Sequence, residues 1–307
     1  MKVKNLEIGN LFLAPMAGVS DVGFRHVCKK AGADLTFTEM VSSKALSYNS
    51  EKTKELLFTS SIEKPVAVQI FGHEPDVMAW ACQSEYLDKF DLIDINFGCP
   101  APKIVNNGDG SALLKDLKLV QKIVTNCVKA TPKPVSCKFR KGYLNDKNVA
   151  LEMAKICSDC GASLITIHGR TKSQMYSGEV DLETIAKVKA CVNIKVVGNG
   201  DVVDLASYNK MKQTGVDGVM IGRGALGNPN IFNEIKGLPK LNKLDLIKEQ
   251  INILSQFYGE RYITTTMRKH FLWYVSGING ASSVKQKLAT CTNVQESLEI
   301  LENLLKK

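Results

Sequence analysis

At 307 residues, 44% of them apolar, the chain is long enough to bury a full core in one large domain, with room for a small appendage. Its opening segment has no apolar run fit for a secretory signal, no later stretch approaches a membrane span, and nine scattered cysteines suit a reducing cytosol. These features argue against a membrane-spanning or disulfide-stapled protein and predict a cytoplasmic one, while a net charge of +9 points to a polyanionic partner.

Short apolar, β-rich runs recur along the chain: Leu11–Ala14, Asp34–Thr38, Val66–Ile70, Leu92–Ile95, Val135–Phe139, Leu164–Ile167, Ile194–Val197 and Gly218–Ile221. Continuous rather than alternating apolar character predicts strands buried on both faces, as in parallel sheets. The gaps are helix-sized, as in Asn148–Cys160, which ends at Gly161. Eight such units predict an α/β fold of the (β/α)8 TIM-barrel class from Leu11 to about Lys236; an open doubly wound sheet normally has fewer strands. Glycine-rich, polar and titratable groups collect after every run, at the end where a barrel builds its active site. From Leu238 helical periodicity takes over. Between Lys236 and Lys307 eleven Lys and Arg face six Asp and Glu, so residues 238–307 are expected to form a small basic helical domain behind a barrel of residues 1–237.

The seventh run ends in Gly198-Asn199-Gly200-Asp201 and the eighth in Gly222-Arg223-Gly224. Glycines let backbone N–H groups approach a phosphate, Arg223 adds a charged fork, and these two loops are the usual phosphate site of a barrel. Gly222–Gly227 also matches a dinucleotide fingerprint, but it lies on the last strand rather than in an opening βαβ unit. Lys138, inward on the fifth run, is placed to form a Schiff base, to pair with a carboxylate, or to sit beside a flavin whose reduced ring it would stabilise. Gln69 has the amide to read a ring edge, and His168 is placed for cofactor or substrate. Asp94–Pro100 carries Cys99 on a glycine-flanked rim loop, with Lys103 just beyond. An ordinary thiol, with a pKa of about 8.5, is mostly protonated at neutral pH and can donate a proton. Cys157 and Cys160 lie on an apolar helical stripe and are expected to be core, and no Cys/His spacing suggests a metal. In the tail, Arg268 and Lys269 are the expected RNA contacts, Met267, Phe271 and Tyr274 keep core spacing, and Trp273 is open between the two roles.

Read together, APMAGVSD, VQIFG, INFGCPAPK, GDGSALL, KFRKG, IHGRT-x-x-Q-x-Y-x-G, VVGNGD and DGVMIGRGALGNP resemble the tRNA-dihydrouridine synthase family in order along the whole barrel, and RKHFLWY resembles its bacterial B-type branch. The resemblance implies FMN held by Pro15, Met16 and Ala17, with Gln69 and Lys138 on the ring and Asn199, Gly200, Asp201, Gly222 and Arg223 at the phosphate. It also implies that Asn96 touches the substrate base, Cys99 gives the proton, and His168 and Arg170 line the pocket, with Lys103 among the substrate contacts. The implied reaction is reduction of the uracil C5=C6 bond of D-loop uridine in tRNA, with NADPH as transient reductant and NADH as its alternative. Leu182 and Asn230 stand where the family commonly has Trp, and Lys195 where it has Pro. The rival readings are a small-molecule pyrimidine oxidoreductase resembling dihydroorotate dehydrogenase, and a tRNA-binding protein without catalysis. No protein partner is evident.

Overall fold

In a computed structural model that describes residues 1–305, eight parallel strands form one sheet: β1 (Leu11–Leu13), β2 (Thr36–Ser42), β3 (Val66–Phe71), β4 (Leu92–Phe97), β5 (Val135–Gly142), β6 (Leu164–Thr171), β7 (Lys195–Asn199) and β8 (Gly218–Ile221). β8 pairs with β1 on one side and β7 on the other. A Phe12–Leu35 bridge and the 3.0 Å bond from Leu13 N–H to Leu35 carbonyl close the ring into the expected TIM barrel. Strand parity sorts the side chains. Val68, Ile70, Ile93, Ile95, Cys137 and Ile165 pack outward against the helices, while Phe12, Phe37, Ala67, Leu92, Leu164 and Val197 fill the barrel interior. Val3, in a short antiparallel hairpin (Lys2–Val3 with Leu6–Glu7), and Ile8, just after it, join that inner cluster and seal the N-terminal end. Further along the strands the inward residues turn polar: Gln69, Asp94, Asn96, Ser136, Lys138, Thr166, His168 and Asn199. The other end of the barrel is therefore a polar cup.

Several strands run on past the expected ends. β2 covers Thr36–Ser42 instead of Asp34–Thr38, because the Asp34 carboxylate is spent on the N–H groups of Asn10 and Leu11 and the chain keeps pairing with β3 through Phe71. Residues 140–142 and 168–171, beyond the expected runs, are also strand: Gly142 still pairs with Thr171, and polar side chains end the apolar run before the ladder ends. The helix of Asn148–Cys160 is shorter, Ala150–Asp159. Cys157 is buried as expected. Cys160, at the helix end, is half-buried, packs against the same core and accepts a bond from Thr125 Oγ1 at 3.3 Å.

The tail consists of helices Lys243–Ser255, Glu260–Tyr274, Ala281–Thr290 and Val294–Leu305 around a second core of Ile247, Leu254, Met267, Phe271, Leu288 and Leu301. Lys306 and Lys307, counted in its charge, lie outside the described residues. Val22 of the first barrel helix (Val22–Lys30) belongs to this second core, which joins tail to barrel. Tyr274 is fully buried and donates to Gln250 Oε1 at 2.9 Å; Trp273 is half-buried with its ring edge-on to His270. Buried Asn230 exchanges two 2.8 Å bonds with the Leu241 backbone, and Lys195 pairs with Asp217 at 3.3 Å, so both departures from the family pattern have local partners. Among the described residues no helix is long and apolar enough to cross a membrane.

Gly227, after β8, has φ +66°, and a Cβ there would lie 2.2 Å from the Trp273 carbonyl oxygen. Gly227→Ala is therefore expected to cost about 1–3 kcal/mol by overpacking where tail meets barrel. A thermal melt measures it, and an unchanged midpoint would remove this contact from the account.

Candidate active site

The polar cup opens into a cavity of about 720 Å³ at the C-terminal end of the strands, a size that suits a cofactor with part of a substrate. Its walls come from the loop after β1 (Pro15, Met16, Ala17), the ends of β3 and β4 (Gln69, Asn96), the Cys99 loop, and the ends of β5 to β8 (Lys138, His168, Gly200, Gly222, Arg223). The structure thus brings together thirteen of the residues singled out in the sequence, Asn199 and Asp201 included.

Two of these have side-chain partners within the protein. Asn199 Oδ1 accepts from Lys138 Nζ at 3.0 Å and its Nδ2 donates to the Met220 carbonyl at 2.8 Å. The Asp201 carboxylate takes a bidentate pair from Arg170 (2.8 and 2.5 Å) and a third bond from Arg223 at 3.1 Å. The Arg170 bond is the first cause of a pKa held below the usual carboxylate range. Asp201 thus brackets Arg170 and Arg223, and Gly200 and Gly222 line the wall beside them.

Four residues lie off the cavity wall. Arg170 is buried behind it, spent on Asp201 and on the Ser177 and Gly178 carbonyls, so it shapes the pocket without lining it. Lys103 is exposed on the short helix Pro102–Val105. Arg268 donates to the Cys291 carbonyl at 2.7 Å, and Lys269 Nζ to the Gly18 carbonyl, so both basic groups knit the tail together and to the β1 loop.

The electrostatics follow from burial. Lys138 is lowered to about 8, first by burial and then by Arg140, against which Asp94 and Cys99 pull upward. Its ammonium has three donors, of which the Asn199 bond uses one. His168 is pushed well below its ordinary value by burial and by Lys138, Arg140, Arg170 and Arg223, so its imidazole is neutral; its Nε2 is buried with no partner. Burial raises the Cys99 thiol, outweighing the Ala101 backbone bond, Arg140 and Lys138, and leaves it protonated at neutral pH. The cavity therefore holds a proton donor, a buried cation and an unpaired ring nitrogen side by side.

Sequence reasoning did not single out Arg140, Tyr176 or Asp94. Arg140 binds the Gly98, Thr171 and Met175 carbonyls, and the Tyr176 ring lies between its guanidinium (5.5 Å) and that of Arg223 (4.5 Å) at the mouth. Arg140 stands two residues beyond Lys138, the one signal that would have put it at the same end of β5.

A family profile described as Dihydrouridine synthase (Dus) matches residues 12–307. The chain is 39% identical to "tRNA-dihydrouridine synthase B" of Pasteurella multocida over 98% of this chain and 95% of that protein. It is 37% identical to the protein of that name from Pseudomonas aeruginosa over 93% and 92%. "Probable tRNA-dihydrouridine synthase" of Rickettsia conorii is 36% identical over 98% and 99%. Among solved structures, morphinone reductase in complex with tetrahydroNAD superposes with a TM-score of 0.54 at 12% identity, covering 84% of this chain and 93% of that one, a likeness of fold alone.

Proposed function

This chain belongs to the dihydrouridine synthase family, and from that membership we propose that it reduces the C5=C6 bond of D-loop uridine in tRNA, with FMN as resident cofactor and NADPH, or alternatively NADH, as reductant. The observation that carries the reading is the pairing in one cavity of a protonated Cys99 with the buried Lys138 cation and neutral His168.

The side chains fit a flavin mononucleotide. Lys138 and the unpartnered His168 Nε2 offer hydrogen bonds to a heteroaromatic ring, and a buried cation there favours an electron-rich one. Gly200 and Gly222 open the backbone beside Arg223, as a terminal phosphate requires. Gln69 lines the same wall, and Pro15, Met16 and Ala17 close the opposite side. When bound, the flavin supplies the reducing equivalents at pyrimidine C6, and the proton for C5 must come from the protein. Cys99 holds that proton at the rim. Asn96, inside the cavity, fixes the Cys99 loop by accepting from the Gly98 and Cys99 N–H groups at 3.0 and 2.9 Å, and stands where a base would meet it. Arg170 acts through Asp201 on Arg223.

The target base must leave its stack, at a cost of a few kcal/mol that phosphate contacts offset. In this reading residues 1–237 form the catalytic unit and 238–307 hold the RNA. Lys103, Arg268 and Lys269 remain the first substrate contacts to test, by the salt dependence of tRNA binding. The cytoplasm is the compartment such a substrate implies.

Arg223→Ala is expected to lower flavin content after purification several-fold, read from the flavin-to-protein absorbance ratio. Unchanged content would place the phosphate elsewhere.

A further inference from the structure

Asp94 is fully buried and belongs to no expected site, yet it sits at the head of a chain of bonds leading to the backbone of Cys99. Ser136 Oγ donates to its Oδ1 at 2.5 Å and Gln69 Nε2 to its Oδ2 at 2.7 Å. Gln69 Oε1 then accepts from Asn96 Nδ2 at 2.7 Å, and Asn96 Oδ1 accepts from the Gly98 and Cys99 N–H groups. The direction of this chain is fixed from both ends. A carboxylate only accepts and a peptide N–H only donates, so neither amide can turn over without breaking a buried bond. Strand register puts the same carboxylate beside β5: Asp94 lies opposite Ser136, and Asn96 opposite Lys138.

Resting on the reading above, we propose that Asp94 is the positioning residue of this site: its carboxylate sets the orientation of the Gln69 and Asn96 amides, and so the Cys99 loop, and its charge keeps the buried Lys138 protonated.

Every charged neighbour of Lys138 enters this balance. Arg140, on the same strand, disfavours its charge; Asp94 and Cys99, from β4 and its loop, favour it. His168 on β6 is neutral, and Asn199 on β7 supplies only a dipole. Asp94 is the one carboxylate among them. Burial raises it to about 6, against the bonds from Ser136 and Gln69 and the charge of Lys138. The signs then follow: as pH falls through about 6 the Asp94 anion is lost, and as pH rises through about 8 the Lys138 cation is lost, so the two coexist between those values.

The test uses the purified flavin-containing protein with carbon-13-labelled lysine, the Lys138 resonance being identified by its absence in Lys138→Met. Asp94→Asn keeps the shape and the direction of the Gln69 bond, since its amide oxygen accepts from Gln69, while its NH2 donates to Ser136 Oγ in place of the bond that Ser136 gave, and it removes the charge. The Lys138 midpoint is expected to fall by about one pH unit, a tenfold change in proton affinity. A midpoint that superposes on wild type overturns the proposal. Should Asp94→Asn not fold, Asp94→Ala, with room for a water between Gln69 and Ser136, carries the same titration. As a second readout, iodoacetamide should alkylate Cys99 at least about tenfold faster in Asp94→Leu than in Asp94→Asn, because Gln69 loses its anchor only in the former; equal rates remove Asp94 from control of the loop. Neither readout uses tRNA or nicotinamide. A protein that shows the Lys138 shift and makes no dihydrouridine loses the function proposed above and keeps this role for Asp94; full dihydrouridine formation with no shift does the reverse.

Discussion

Cys99→Ala is expected to slow dihydrouridine formation by about 10²–10⁴-fold, the usual worth of a positioned general acid, with flavin content and tRNA affinity little changed. The size of the effect follows from what else the cavity offers. His168 is neutral, and its neighbours hold it far from accepting a proton that it could pass on. Arg140 is spent on three carbonyls, and Lys138 is drawn back onto Asn199. Cys99 combines a labile proton with a rim position beside Asn96. Its backbone is fixed from two sides, by Asn96 and by Ser111, whose N–H and hydroxyl both bond the Cys99 carbonyl. Single-turnover reduction of tRNA by pre-reduced enzyme measures the step. A variant within tenfold of wild type would assign the proton to another group.

Glu63→Ala is expected to cost about 3–5 kcal/mol of folding stability, because it leaves a buried guanidinium without its counter-charge. Arg25, on the first barrel helix, and Glu63, before β3, are 1% and 0% exposed and meet at 2.7 Å. Around the pair, Arg25 donates to the Ser20 and Phe58 carbonyls, and Glu63 accepts from Thr36 Oγ1 and the Ser60 N–H. Against a total of roughly 5–15 kcal/mol the loss brings the fold near its limit. The pair as a whole contributes far less than the single variant suggests, since replacing both charges with apolar groups is often neutral. Denaturant midpoints of Glu63→Ala and of the double variant Arg25→Met with Glu63→Met measure both statements. A single-variant loss below about 1 kcal/mol would mean that water reaches the pair.

The barrel was legible because parallel strands covered on both faces leave continuous apolar runs, and eight of them at helix-sized intervals admit few topologies. Strand ends were less so. Arg140, His168 and Arg170 interrupt the apolar pattern while their backbones stay in the ladder, so hydropathy places the ends too early. In the site, glycine loops and Cys99 announced themselves by type and position. The Asp94–Gln69–Asn96 chain did not, because its links pass between β4 and β3, although the shared parity of Asp94 and Asn96 is visible in the sequence. The partners of the tail charges were not legible either: Arg268 and Lys269 bond the Cys291 and Gly18 carbonyls, 23 and 251 residues away. The bonds of Asp201 to Arg170 and Arg223 were not legible, since a local motif does not reveal Arg170 on the neighbouring strand.

The most direct test of the central claim is a positional count of dihydrouridine by mass spectrometry, after the purified protein is incubated with NADPH and tRNA lacking the modification. New dihydrouridine in the D-loop, absent without NADPH and abolished in Cys99→Ala, is the predicted result. Bound flavin that NADPH reduces, with no dihydrouridine formed at any position, would contradict it.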